Sequence, residues 1–432
     1  MSTVHKMSKL TAILVTMNIM IGVGIYMVPV STSKLSGNLS FLCWPLIATI
    51  FLPVVYSIAQ ITKFFTEQGN FYNYAKQELG KGYGFISGWA YFLGFAAISS
   101  LLFLKLKELI LFKLNLNLAR SQDLVFNIVL ISIFLFLNLL SLKYVSKIQN
   151  ITTIIKLLPL FFVILLLFFY FNPGLNFNMQ NLSTLQFTIP LAIFGFLGFE
   201  AACSISHLIE GDKNTPSKVI LMSFIGTAVI YTIFHFSLLN IMGAESLVKY
   251  DSLSFINFLG INNPIFLKLL SSFFSAAIFI TYISSLFGCI LADSSNLHSI
   301  LENNLLPKSN ILKKVNRENR PKHAIFLTGL VIFILISFAN NLTLLSALCN
   351  FGIVTTYIIT LLSLLSIQVK KSLKLGVFIT ILALISSCII ITYSWFAIGQ
   401  NSTERLANAL PFIVLALIGF ALFKINEKYK IN

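Results

Sequence analysis

The sequence predicts an all-α integral membrane protein with twelve transmembrane helices, and three observations predict it. Of the 432 residues, 57% are hydrophobic and only 10% are charged, against about 25% charged in a soluble domain. A surface that apolar needs lipid as its solvent. Apolar runs of about 18 residues or more recur along the chain, each able to cross about 30 Å of hydrocarbon as a helix. These runs also lack the strict alternation of a membrane β-barrel.

In chain order the predicted spans are 9–34, 39–62, 84–106, 124–142, 149–171, 187–209, 217–242, 265–296, 323–341, 343–367, 375–397 and 405–424. The first follows a short basic lead (His5, Lys6, Lys9) and has no small-residue cleavage pattern near its end, so it reads as a retained span. An even number of spans puts both termini on one side. With the N-terminus inside, 21 of the 30 Lys and Arg residues fall in cytoplasmic segments and 8 in outer ones, with Lys156 left inside a span. That bias predicts cytoplasmic termini. It also accounts for the formal charge of +16 without nucleic acid. The two longest cytoplasmic loops, 63–83 and 297–322, have room for interfacial helices but not for a folded domain, so function is expected among the helices.

Cys43, Cys203, Cys289, Cys349 and Cys388 all lie in apolar stretches and form no CxxC pair, which reads as small buried hydrophobes rather than disulfides or metal ligands.

Two spans carry glycines where a helix is weakened by them. Span 1 contains Met20-Ile21-Gly22-Val23-Gly24-Ile25 in a stretch that runs to Pro29; span 6 contains Phe194-Gly195-Phe196-Leu197-Gly198-Phe199-Glu200. Each glycine costs about 1 kcal/mol relative to alanine, and a glutamate in mid-span costs more. Close helix packing is one reading of such glycines. The other follows from their places, first and sixth, in two five-helix sets, which points to an inverted-repeat transporter with its site at the midplane. An unwound helix offers amide N–H groups at the start of one half and carbonyls at the end of the other. The first suit a carboxylate and the second an ammonium, so backbone alone can hold the shared part of a zwitterionic amino acid.

Asn18 to Pro29 resembles the first-helix signature of the amino acid–polyamine–organocation superfamily. Phe196-Leu197-Gly198-Phe199-Glu200, with Glu210 and Thr215-Pro216 after it, is similar to the sixth-helix signature. Gln68 to Ala75, Gly80, Gly84-Phe85 and Gly88-Trp89 resemble the entry to the third helix, and Leu306-Pro307-Lys308 with Pro321 the loop after the eighth. The resemblance covers most of the chain in order. It implies a LeuT-type five-plus-five inverted repeat with discontinuous helices 1 and 6 and two extra helices. The first repeat would be 1–182, the second 183–370, and the last two helices with the tail 371–432. Carried over residue by residue, a substrate carboxylate would meet the amides of Val23 and Gly24, and an ammonium the carbonyls of Met20, Phe194 and Leu197. Ile21, Gly22 and Gly198 complete the substrate set. Phe194 falls where several relatives carry an aromatic gate, often Trp; a smaller ring weakens cation–π attraction to a charged substrate.

Two ionisable residues are candidates for coupling. Glu200 either secures the unwound backbone by a hydrogen bond or responds to protons. Lys156 either reaches back to the cytoplasmic interface or, as the resemblance of Gln149–Leu158 to the fifth helix of sodium-independent members implies, stands where sodium-coupled relatives bind Na⁺. The predicted activity is secondary active transport of amino acids by alternating access, Na⁺-independent, proton-coupled or by exchange.

Within the family, the alternative is a basic amino acid/polyamine antiporter. Tyr393-Ser394-Trp395-Phe396 and Ser402-Thr403-Glu404-Arg405 resemble that branch; Lys156 and Phe194 depart from it. Such a site needs a carboxylate for the distal amine; Glu200 is near the breaks and Asp293 is a second in-span acid, expected towards the cytoplasmic end of span 8.

An enzyme is the rival from another class, but HExxH, GxxxxGK[ST] and GxSxG motifs are absent. His207 and Glu210 have metal-capable spacing without further ligands. No charge ring suggests a channel, and no signalling domain suggests a sensor. The expected partners are therefore a small-molecule substrate, lipid, protons and, by analogy, a second copy of the chain, with no cofactor, metal or nucleic acid. The expected location is a bacterial inner membrane.

Overall fold

The computed structural model describes residues 8–22, 24–64, 71–140, 142–200, 209–212, 214–339 and 341–431. Among them no β-strand element occurs. The helices in chain order are α1 (Lys9–Met20), α2 (Gly24–Ser36), α3 (Cys43–Ile61), α4 (Phe71–Leu79), α5 (Lys81–Leu114), α6 (Arg120–Asn138), α7 (Leu142–Leu166), α8 (Ile189–Ala192), α9 (Thr215–Tyr250), α10 (Pro264–Glu302), α11 (Ser309–Leu312), α12 (Lys322–Phe338), α13 (Leu342–Lys370), α14 (Lys374–Ala397) and α15 (Ser402–Ile431). Among the described residues four 3-10 segments, Gly37–Leu42, Met179–Thr188, Ile193–Phe196 and Ser252–Phe258, lie between them.

Among the described residues, seven helical stretches are long and apolar enough to cross a membrane. They are Gly24–Ile61 taken as one, Arg120–Asn138, Thr215–Tyr250, Pro264–Glu302, Leu342–Lys370, Lys374–Ala397 and Ser402–Lys428. Lys9–Met20, Ile155–Leu166 and Lys322–Phe338 are apolar but shorter.

Several helices outrun the apolar stretches that announce them, because hydropathy marks where lipid is expected and not where backbone hydrogen bonding stops. Helix α5 continues to Leu114 through Lys105, Lys107 and Glu108. These charges are accommodated by pairing: Lys105 with Glu108 at 2.6 Å, and Lys107 with Asp123 on α6 at 2.5 Å. Helix α7 begins at Leu142, seven residues before the apolar run, so Lys156 lies about four turns into it rather than two. The loops 63–83 and 297–322 do carry short helices, α4 and α11.

The chain forms two compact units, each drawn from three separated stretches. The first comprises residues 1–74, 153–278 and 360–393. Here α9 packs against α1, α2 and α3, around buried aromatics. Trp44 lies 4.7 Å from Tyr231 and 5.8 Å from Phe196 between ring centroids, Phe196 lies 5.0 Å from Phe224, and Phe51 lies 5.6 Å from Phe199. The second unit comprises 75–152, 279–359 and 394–432. In it α12 packs against α5 and α6, and α15 against α5. Trp89 of α5 donates its indole N–H to the Leu415 carbonyl at 3.1 Å.

The cysteines correct the expectation in part. Cys43 and Cys349 are buried, but Cys289 is half-buried and Cys388 is exposed. On a lipid-facing helix a thiol needs no burial to behave as an apolar group. Cys203 lies outside the described residues.

Candidate functional site

The first break is built by the last turn of α1. Ile21 leaves the helix at ψ 88° while its N–H still reaches the Met17 carbonyl at 2.7 Å. A continuing helix would send the Gly22 N–H to the Asn18 carbonyl. It turns instead to the Met20 carbonyl at 2.8 Å. Asn18 O thus loses its helical donor, and the Lys156 ammonium takes that place, donating to Asn18 O at 2.8 Å. A cation at a helix C-terminus is also favoured by the helix dipole. Helix α2 then restarts at Gly24. Val23 lies outside the described residues.

The second break lies where the sequence placed it, although the element is more fragmented than a helix over 187–209. Two 3-10 segments flank the single turn of α8, and Leu197 follows in extended conformation at φ −67°, ψ 145°. Gly198 has φ +109°, a conformation open to glycine because it lacks a Cβ. Buried Glu200 closes the turn: its Oε2 accepts the Gly198 N–H at 2.9 Å. The structural reading of Glu200 therefore has its hydrogen bond. Residues 201–208, including His207, lie outside the described set, and among the described residues no group of three metal-capable side chains occurs.

The two breaks touch. A methyl group placed on Gly24 would sit 3.2 Å from the Phe194 ring and 3.3 Å from the Gly195 Cα; one on Gly198 would sit 3.3 Å from the Ile19 carbonyl oxygen. Met20, Ile21, Gly24, Leu197 and Gly198 are buried together, with Phe194 half-buried beside them. The first-turn amides of α2, the carbonyls at the end of α1 and the bent backbone at 197–198 form one layer. Such a layer can offer donors to a carboxylate and acceptors to an ammonium. The Met20 carbonyl is already engaged, accepting from both Gly22 N–H at 2.8 Å and the Tyr231 hydroxyl at 2.9 Å.

Sequence reasoning missed the side chains that hold this backbone. Tyr26 donates its hydroxyl to the Lys156 carbonyl at 2.6 Å, and its own carbonyl accepts from Ser252 at 2.9 Å. Tyr231, on α9, pins Met20 as described. Fully buried His235, one turn further along α9, accepts the Trp44 indole N–H at Nδ1, 3.2 Å away. That bond puts the ring proton on Nε2, which faces the hydroxyls of Ser40 at 3.0 Å and Ser33 at 3.3 Å. The indole so fixed leaves no room at Gly195, where an added methyl would meet it at 2.7 Å. The only signal in the sequence was a polar residue inside an apolar run, which His235 shares with many structural positions.

Comparison with known proteins adds to this geometry. A family model described as amino acid permease matches residues 7–418. The chain is 23% identical to the putrescine transporter PotE of Escherichia coli strain K12, over 53% of each chain. It is 24% identical to the putrescine transporter PotE of Haemophilus influenzae, over 53% of this chain and 54% of that one. The chain thus spans about half the length of these relatives. It is also 22% identical to the serine/threonine exchanger SteT of Bacillus subtilis strain 168, over 98% of this chain and 96% of that one. Together with the apolar helices, the match over nearly the whole chain makes this an integral membrane protein.

Proposed function

We propose, for a chain that belongs to the amino acid permease family, that it carries small neutral amino acids by alternating access without Na⁺, through exchange or proton coupling. The observation that carries this reading is the contact of the two helix breaks, with the Lys156 ammonium on the Asn18 carbonyl freed by the first. A fixed ammonium there holds α1 to α7 as a bound metal ion would, and removes the need for one. The substrate carboxylate meets the first-turn amides of α2. The ammonium meets carbonyls around Phe194 and Leu197. The scaffold is twelve spans in a five-plus-five inverted repeat, 1–182 and 183–370, with the last two helices and tail at 371–432. It sits in a bacterial inner membrane with both termini cytoplasmic. Helices at both ends of the chain and within every expected stretch support that count.

Polyamine or basic amino acid exchange is the second reading, favoured by the putrescine transporters among the relatives. A distal amine needs a free carboxylate near the breaks, and Glu200 there is bonded to the Gly198 amide. That engagement favours the neutral substrate. Counterflow in proteoliposomes with serine, threonine, ornithine, arginine and putrescine, in Na⁺ and in choline, tests both readings. Exchange of neutral amino acids in choline is expected; movement of diamines alone, or strict Na⁺ dependence, overturns the first reading.

A further inference from the structure

Two acids are buried among the described residues, Glu200 and Asp293. Glu200 has the Gly198 amide. Asp293 on α10 is 0% exposed, and among the described residues neither of its carboxyl oxygens has a hydrogen-bond partner. An acid in an apolar span is costly, and a bare carboxylate with neither donor nor counter-charge is the most costly form of it. Such a side chain calls for a cation.

The surroundings say which cation. One turn further along α10, Asn296 donates its amide to the Gly88 carbonyl of α5 at 3.1 Å, so this face of α10 is fastened to α5. The neighbouring Ser87 carbonyl accepts from Thr356 of α13 at 2.9 Å. Near that level α5 carries Tyr83 and Tyr91 and α13 carries Tyr357, with no charged residue between Gly82 and Leu104 or between Leu342 and Val369. On α10 itself the charged groups are Lys268, far towards the opposite end, and His298 with Glu302, which are joined to each other at 3.3 Å; the thiol of Cys289 lies one turn before Asp293 and the phenol of Tyr282 about three turns before it. A calcium or magnesium ion takes six or more oxygens, and Asp293 offers two. No group of three metal-capable side chains occurs among the described residues. A single carboxyl in an uncharged layer holds a proton.

We infer that Asp293 is a proton-binding site of this carrier, the place where one H⁺ rides with each transport cycle. This rests on the transport reading above and assigns its coupling ion to a residue outside the helix breaks. The protonated acid is neutral and can stay in the apolar layer. Losing the proton requires a conformation in which water or a donor reaches the carboxylate, which ties proton release to the change of access.

Proteoliposomes with an imposed pH gradient test it, using Asp293→Asn as the isosteric neutral form. For one proton per substrate, one pH unit supports up to about tenfold accumulation. Wild type is expected to accumulate substrate, and D293N to keep counterflow at gradient-free rates while losing accumulation. Infrared difference spectra of purified protein between acid and alkaline pH add a direct readout. The protonated-carboxyl stretch of wild type and Asp293→Glu should contain a component that is missing from the band of D293N. Accumulation by D293N equal to wild type, or an unchanged carboxyl band, overturns the assignment. If counterflow fails in wild type as well, it is the transport reading that falls, and the infrared band still decides the site.

Discussion

Replacing Lys156 with methionine keeps the length of the side chain and removes its charge and its donors. Among the interactions lost is the 2.8 Å bond from Nζ to Asn18 O. A hydrogen bond to a charged group is worth about 1.5–3 kcal/mol net, and stranding a buried acceptor costs a similar amount. The Gly22 N–H cannot return to Asn18 O without undoing its bond to Met20 O. If this energy holds the break in its transport-competent form, kcat/KM should fall by about 10- to 150-fold. The assay is labelled amino acid uptake into proteoliposomes, in Na⁺ and in choline, at matched protein density. Lys156→Arg should recover part of the rate, because guanidinium keeps the charge but presents a planar fork. A thermal melt of each variant separates loss of transport from loss of fold. Wild-type uptake by K156M, or uptake by the native protein that stops when Na⁺ is withdrawn, would refute the reasoning.

Gly198→Ala forces a Cβ onto a backbone at φ +109°, with about 1–3 kcal/mol of strain; transport should fall together with melting temperature, and an unchanged pair of values would show that the turn relaxes freely. His235→Leu and Trp44→Phe each remove the bond at 3.2 Å, so in a double-mutant cycle on substrate KM they should couple by about 1 kcal/mol, whereas simple additivity would deny Trp44 its held position. Asp212 sits before α9 with its carboxyl held below the usual carboxylate value, chiefly by the Thr215 hydroxyl. A lowered folded-state value means that its contribution is complete above the unfolded value and is lost as pH falls through the folded one. Asp212→Ala should therefore flatten the acid limb of a melting-temperature profile, and an identical acid limb would count against the cap.

Composition and patterning alone determined that this chain lives in lipid, that its helices recur along its length, and that two of them are weakened at glycine pairs. These are properties of single segments, and a segment's transfer free energy and helix propensity are written in its own residues. The break at Gly22–Gly24 and the turn at Leu197–Gly198 were legible for that reason. The partners of the broken backbone were not. Lys156 read as a residue two turns into its span until the fold placed it deep in α7 with Asn18 O in reach. Trp44, Tyr231 and His235 come from two helices nearly two hundred residues apart, and nothing in either helix says that one indole will bridge the imidazole and the space at Gly195. For Asp293 the sequence showed only an acid inside a span. Its meaning lies in the absence of a hydrogen-bond donor to it among the described residues, which is a property of everything packed against a side chain and so exists only once the chain has folded.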